Sequence, residues 1–119
     1  MDLTVFAQEC AERESGWSGS AIDSSFRPPS TEEQERDKFA AVLALESALA
    51  GGDLIVWTSG EAELMVVYED GMARLVHYDL TSIGDLRAAI DHVTDLMIRR
   101  PSADLLVSMF PSEGRPGVG

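Results

Sequence analysis

The side chains that could do chemistry in this chain are one cysteine, two histidines and several neighbouring carboxylates. Cys10 could act as a nucleophile with His77 or His92 as its base, since a thiol beside an imidazole is the core of a cysteine-protease site. Cys10 lies in a weakly amphipathic opening segment, however, where a small buried thiol is the commoner outcome. We therefore expect Cys10 to be structural.

His92 lies among acidic residues on a predicted helix. Asp91 precedes it and Asp95 follows three residues later, so the three side chains could approach one divalent cation. A metal site normally needs a further ligand and ordered groups behind the ligands, and this spacing supplies neither. We expect an ordinary polar helix surface here, with no metal and no cofactor.

Two pairs of carboxylates could serve as general acid and base. Glu61 with Glu63, and Glu69 with Asp70, are close in sequence. Both pairs fall at predicted hairpin ends, where solvent keeps carboxylates ionised. No CxxC, HExxH, GxSxG, GxxxxGKS/T or GxGxxG motif occurs either. The sequence therefore favours a protein that is not an enzyme.

The composition is that of one acidic globular domain. The 119 residues carry 21 Asp and Glu against 9 Lys and Arg, a formal charge of −12, and 45% of them are hydrophobic. Such a surface repels phosphate groups, so we expect no direct binding to nucleic acid or to a membrane. We find neither a signal peptide nor an apolar run of about 18 residues, and the single cysteine fits a reducing compartment, so we expect a cytoplasmic protein.

Apolar residues at spacings of three and four predict two helices. The first covers residues 31–50, where Ser30 and Glu33 have the spacing of a capping box. The second covers residues 82–99, and Pro101 prevents its continuation. These helices supply the apolar faces that must pack on the rest of the domain.

The opening of the chain is harder to assign. Residues 3–12 carry apolar side chains at helical spacing but could also form a brief strand. Residues 15–30 are rich in Ser, Gly and Pro, which predicts a long loop. The larger apolar side chains of this loop pin it to the domain or contact a partner. We place one domain at residues 1–110 and a flexible tail at residues 111–119.

Four strands are predicted, at residues 53–58, 63–68, 72–78 and 104–110. They indicate an α+β fold, in which the helices pack on a mainly antiparallel sheet. Ser59-Gly60 and Asp70-Gly71, taken as two-residue hairpin loops, set the register of the first three strands. This register assigns eight residues to the apolar face beneath the helices: Ile55, Trp57, Leu64, Val66, Tyr68, Ala73, Leu75 and His77.

The opposite face of the predicted sheet is mixed, with an aliphatic centre and charged margins. We predict that it binds a partner through Val56, Glu61, Glu63, Met65, Arg74, Val76 and Tyr78. Specific interfaces have an apolar centre inside a charged rim, and an acidic rim selects a basic partner. The alternative is that the opening segment and the 15–30 loop cover this face with Phe6, Trp17, Ile22 and Phe26.

In size, charge and α+β layout the chain resembles bacterial toxin-immunity proteins as a broad group. The resemblance implies a non-catalytic inhibitor, monomeric or homodimeric, that neutralises a basic protein partner such as a toxin or nuclease. Three other interpretations stay open. They are a homo-oligomeric scaffold subunit, a phosphate mimic presenting residues 31–37, and an enzyme or ligand-binding protein with a pocket near Trp17, Trp57 and His77.

Overall fold

The computed structural model describes residues 1–30 and 39–108, and within them it confirms the α+β class. In this part of the chain two helices pack on a six-stranded antiparallel sheet, where about four strands were predicted. The helices are α1 (Leu3–Gly19) and α2 (Ile83–Ile98). The strands are β1 (Asp23–Arg27), β2 (Ala40–Glu46), β3 (Ala50–Trp57), β4 (Glu61–Tyr68), β5 (Met72–Asp79) and β6 (Val107–Ser108).

Each strand pairs antiparallel with the strand before it, so the sheet order is β1-β2-β3-β4-β5-β6. Burial alternates along β2, β3 and β4, as expected when one face of a sheet is packed. α1 packs against β1 and β2, α2 packs against β2, β3 and β4, and the two helices touch each other. Both described helices therefore cover one face, which we call the helix face. No described helix covers the opposite face, which we call the open face.

The opening segment is helical, which decides between the two assignments left open for residues 3–12. Asp2 caps α1, since its carboxylate accepts a hydrogen bond from the Thr4 amide at 2.8 Å. Phe6 and Cys10, one helical turn apart, are buried in the core between α1 and the sheet. The cap and this apolar pair explain why the segment becomes a helix.

The predicted loop over residues 15–30 is wrong in two places. α1 continues to Gly19, and Asp23–Arg27 forms β1. Trp17 is buried, and its indole N–H donates a hydrogen bond to the Thr94 hydroxyl at 2.9 Å, which ties α1 to α2. The apolar side chains of the opening segment and of this region belong to the core on the helix face and leave the open face uncovered: Phe6, Trp17, Ile22 and Phe26.

The predicted helix over residues 31–50 is also wrong where it can be compared. Residues Ala40–Glu46 form β2, and residues 31–38 lie outside the described part of the chain. Alanine and leucine give this segment a high helix propensity, but its burial repeats every two residues, with Ala41, Leu43 and Leu45 buried. Pairing with β1 on one side and β3 on the other overrides the local preference.

The two hairpin loops have three residues instead of the predicted two. Gly60 has a φ of 95° and its amide donates to the Trp57 carbonyl at 2.9 Å. Gly71 has a φ of 83° and its amide donates to the Tyr68 carbonyl at 2.9 Å. A glycine of positive φ at the end of a three-residue loop is a common hairpin connection. The extra residue shifts the register by one, which exchanges the two faces of a strand.

This shift divides the predicted core of the sheet. Leu64, Val66 and Tyr68 are buried on the helix face, as predicted. The other residues predicted to lie beneath the helices are on the open face instead: Ile55, Trp57, Ala73, Leu75 and His77. The prediction of an apolar face beneath the helices was correct, but five of the eight residues assigned to it lie on the other face.

The helix predicted over residues 82–99 is confirmed as α2. Ser82 caps it by accepting a hydrogen bond from the Asp85 amide at 3.1 Å. A Cβ on Gly52 would lie 2.9 Å from the Cε of Met97, so this glycine lets α2 approach β3 closely. Gly52 therefore lies inside β3, and its missing side chain makes room for the packing of α2.

The last predicted strand, over residues 104–110, is shorter than expected. A 3-10 turn covers Ala103–Leu105, and β6 comprises Val107–Ser108, which pair with Ala73 and Met72. Residues 109–110 and the predicted tail at 111–119 lie outside the described part of the chain.

Candidate functional site

The seven residues predicted to bind a partner do not share one surface. Val56 is fully buried beneath the helices. Arg74, Val76 and Tyr78 are half-buried on the same helix face. Placing these four on an exposed face was wrong, because that placement assumed two-residue hairpin loops and the loops are one residue longer.

The other three predicted residues, Glu61, Glu63 and Met65, do lie exposed on the open face. Met65 pairs with Leu75 on β5, and Glu63 pairs with His77. Directly opposite residues of neighbouring strands are in side-chain contact distance on one face of a sheet. The open face therefore has an aliphatic centre with charged neighbours. Some of the residues that form it were predicted to lie in the core.

Cross-strand pairing arranges the middle of the open face in two rows that run from β2 to β5. The first row is Ala44, Asp53, Met65 and Leu75. The second row is Val42, Ile55, Glu63 and His77. The larger apolar residues of the two rows lie along one diagonal. We call these four residues the apolar stripe: Val42, Ile55, Met65 and Leu75.

A depression of about 480 Å³ lies over three of the four residues of the apolar stripe. Its lining includes Ile55, Met65 and Leu75, with Asp53, Glu63 and His77 at its margins. Met65 is 37% exposed and Leu75 is 50% exposed, so the large side chains at its centre are accessible to a partner. Contiguous exposed apolar side chains inside a polar rim are typical of interaction sites.

The described residues of the open face carry almost only negative charge. Six carboxylates point from it: Asp23, Glu46, Asp53, Glu61, Glu63 and Asp79. Among the same described residues, Arg27 is the one guanidinium on this face. The open face carries six of the 21 acidic residues of the chain and therefore attracts cations.

An imidazole lies at the margin of the depression. Nε2 of His77 is 3.2 Å from Oδ1 of Asp79, and both side chains are exposed. Glu63 lies beside it on β4, so carboxylates from two strands flank the ring. An exposed pair of this kind contributes little to stability, which leaves its groups available to a partner.

Cys10 lacks the properties of a nucleophile. The thiol is buried, and burial raises its pKa to about 12, so it stays protonated at neutral pH. His92, one candidate base, is hydrogen-bonded through Nδ1 to the Tyr78 hydroxyl at 2.5 Å. His77, the other, lies on the open face, across the sheet from Cys10. The structure does not bring these three groups together.

The acidic residues around His92 pair with arginines instead of meeting at one point. Asp91 lies 3.5 Å from Arg13, and Asp95 lies 3.6 Å from Arg99. Across residues 1–30 and 39–108, no three His, Cys, Asp or Glu side chains are grouped closely enough to hold a metal ion.

A cluster of charges joins the two helices on the far side of the sheet from the open face. Glu9 is buried and accepts hydrogen bonds from Arg87 at 3.1 and 3.2 Å and from Arg13 at 2.8 Å. These hydrogen bonds, first those of Arg87, hold the pKa of Glu9 below its ordinary value. Because its charges satisfy one another, the cluster has a structural role in docking α1 on α2.

Three residues around the depression were not predicted from the sequence to lie on this face: Asp53, Ile55 and Leu75. One signal could have found them: the loops Thr58-Ser59-Gly60 and Glu69-Asp70-Gly71 both end in glycine at the third position. That pattern is as compatible with a three-residue hairpin loop as with a two-residue loop, and the longer loop gives the observed faces.

No described helix is both long and apolar enough to cross a lipid bilayer. No protein-family model, curated protein or solved structure matches this chain. The candidate site is therefore defined by the geometry and charge of the open face.

Proposed function

We propose that this chain is a small, acidic, non-catalytic binding protein that inhibits a basic protein partner in the cytoplasm, as bacterial immunity proteins inhibit toxins or nucleases. The partner docks on the open face. The observation that carries the proposal is the apolar stripe, bordered by carboxylates, on a sheet face that no described helix covers.

The apolar and charged parts of the open face have different tasks in this proposal. Fully burying an aliphatic side chain such as Met65 or Leu75 is worth about 1.5–3 kcal/mol, so the apolar stripe supplies affinity. The carboxylates raise the association rate of a cationic partner and disfavour an acidic one. An inhibitor gains from both, because it must capture its target quickly and release it slowly.

A basic partner explains the open face better than a second copy of this chain does. In a symmetric dimer through this face, the six carboxylates of one copy would meet those of the other, and facing like charges are destabilising. The phosphate-mimic interpretation depended on residues 31–37, which fall within the undescribed segment.

The test takes as its candidate partner a basic protein encoded by a gene that adjoins the gene of this chain. Its affinity is measured by calorimetry at about 50 and 300 mM salt, and its activity is assayed with and without this protein. We expect Glu63→Lys and Met65→Ala each to weaken binding at least about fivefold. The matched control is Glu14→Lys, an equal charge reversal on α1, with an effect below about twofold.

Two outcomes would contradict the proposal. One is a candidate partner that shows no binding and no change in activity. The other is a complex that Glu14→Lys weakens as much as Glu63→Lys does, because the attraction would then depend on net charge alone and not on the open face.

A further inference from the structure

We infer that the part of the partner that occupies the apolar stripe is an amphipathic, cationic α-helix. This inference rests on the proposed function, and it names the kind of structural element that the open face recognises. It follows from the length of the apolar stripe, the charges on either side of it, and the hydrogen bonding of the strands beneath it.

The apolar stripe has the length of a short helix. Val42 pairs with Ile55, and Met65 pairs with Leu75, so the four side chains stand on four successive strands. Strands in a sheet lie about 4.8 Å apart, which places the ends of the stripe about 14 Å apart across the sheet. A helix covers that distance in about 10 residues, or about three turns, and presents apolar residues at every third or fourth position.

Carboxylates lie on both sides of the apolar stripe. Asp53 lies on one side, next to Met65 and in the same row. Glu63 lies on the other side, next to Ile55, and Glu61 and Asp79 continue the acidic margin beyond it. A helix that fits must therefore carry Lys or Arg on both flanks of its apolar face.

The backbone of the sheet excludes an extended segment from this position. β2, β3 and β4 each pair with a strand on both sides, so their amide and carbonyl groups are used within the sheet. An extended segment laid on this face would bury its own backbone groups without partners, which is costly. A helix satisfies its backbone internally and offers only side chains to the open face.

A strand of a partner would have to bind elsewhere. β6 pairs with β5 through Met72 and Ala73, and no other described strand lies along the remaining edge of β5, at residues 74–79. An added strand at this edge would extend the sheet and leave the apolar stripe uncovered. An added strand would therefore bind the backbone of β5, whereas a helix would contact Ile55 and Met65 on the inner strands β3 and β4, so experiment can separate the two modes.

The test uses two synthetic peptides of about 14 residues, each with equal numbers of leucine and lysine. In the first peptide the leucines recur at helical spacing, and in the second leucine and lysine alternate, as in a strand. Affinity is measured by fluorescence anisotropy, and amide and methyl chemical shifts map the binding site. Wild-type protein, Glu63→Lys and the control Glu14→Lys are compared at equal salt.

We expect the helical peptide to bind at least about tenfold more tightly than the alternating peptide and to shift the Ile55, Met65 and Leu75 methyl signals. Glu63→Lys should weaken it at least about fivefold, and Glu14→Lys less than about twofold. The inference is overturned if the alternating peptide binds as tightly, if the shifts concentrate in the backbone amides of residues 74–79 and spare the Ile55 and Met65 methyls, or if both charge reversals have equal effects.

Failure of this inference differs from failure of the proposed function. If Glu63→Lys weakens binding of a basic partner while the two peptides bind alike, the open face is still the docking site, and only the inference that a helix occupies it is wrong. A basic partner insensitive to Glu63→Lys would remove the docking site itself.

Discussion

The amide of Gly71 donates a hydrogen bond to the carbonyl of Tyr68 at 2.9 Å, and Gly71 has a φ of 83°. This contact closes a three-residue hairpin loop and pairs Val67 with Ala73. The register that follows points Leu75 to the open face and Val76 to the helix face. One loop residue therefore decides which side chains of β5 a partner can reach.

Gly60 closes the three-residue loop between β3 and β4 in the same way, and substitution tests whether the loop requires glycine there. A Cβ at this position would lie 2.6 Å from the Leu80 carbonyl oxygen, and φ is 95°. We expect Gly60→Ala to lower the free energy of unfolding by about 2 kcal/mol or more, because both the backbone conformation and the contact are unfavourable.

Gly51→Ala is the matched control for this measurement by thermal and urea unfolding. A Cβ there meets no atom within 4 Å, so stability should be unchanged or slightly higher. Equal stability of the Gly60→Ala variant and the wild type would mean that the loop has a different conformation.

Adjacent residues of β4 test the assignment of the two faces. Val66 is fully buried on the helix face, so Val66→Asp places an unpaired carboxylate in the core and should unfold the domain, as should Leu86→Asp from α2. Met65 is 37% exposed on the open face, so Met65→Asp should change the free energy of unfolding by less than about 1 kcal/mol. Thermal unfolding of the three variants is followed by circular dichroism. Similar losses of stability in Val66→Asp and Met65→Asp would refute the assignment of the two faces.

Glu9 should make stability depend on pH in the acid range. Hydrogen bonds from Arg87 and Arg13 hold the pKa of Glu9 below the ordinary 4.5, so its contribution is complete above about pH 4.5 and is lost as the pH falls through the lowered value. We expect Glu9→Gln to cost about 1–2 kcal/mol at pH 7, and this difference to shrink below pH 4.5. The exposed α1 variant Glu12→Gln should cost less than about 0.5 kcal/mol at pH 7. A Glu9→Gln deficit that stays constant with pH would exclude this linkage.

His92 should affect stability in a second and higher pH range. Burial first, and then the charge of Arg74, lower its pKa from 6.5, while Asp95 acts in the opposite direction. The unfolded chain therefore binds a proton more readily, and stability falls as the pH decreases from about 6.5. The Tyr78 hydroxyl, whose pKa burial raises to about 12, stays protonated in this range and can donate to the neutral ring.

Urea unfolding between pH 5 and 7, a range that includes the ordinary His pKa of 6.5, checks this expectation. His92→Gln should reduce the slope of the free energy of unfolding against pH. Tyr78→Phe should lower stability by about 1 kcal/mol and retain most of the slope, because burial is the first cause of the shift. An unchanged slope in His92→Gln would show that other groups produce it.

Some elements of this fold could be predicted because local and tertiary signals agree. α2 has a serine cap, apolar residues that recur with a period of 3.6 and a proline after its end, and it forms where expected. Residues 40–46 have local helix propensity but form a strand, since β1 and β3 supply hydrogen bonds that a single sequence does not reveal. The α+β class was therefore predictable, and the number of strands was not.

The candidate site shows the same division at the level of single residues. An open, acid-rimmed sheet face was predictable from composition and alternation, and Glu61, Glu63 and Met65 were correctly placed on it. Its remaining members depended on loop lengths, and glycine at positions 60 and 71 fits two loop types. A shift of one residue was enough to exchange Leu75 for Val76.

The most direct test of the central claim follows two methionine methyl groups during titration with the basic partner. Met65 is exposed on the open face, and Met97 is 2% exposed between α2 and β3. In protein labelled with ¹³C at methionine methyls, the partner should shift or broaden the Met65 signal and leave Met97 unchanged. A saturated complex in which the Met65 signal keeps its free position would show that the partner does not bind the open face.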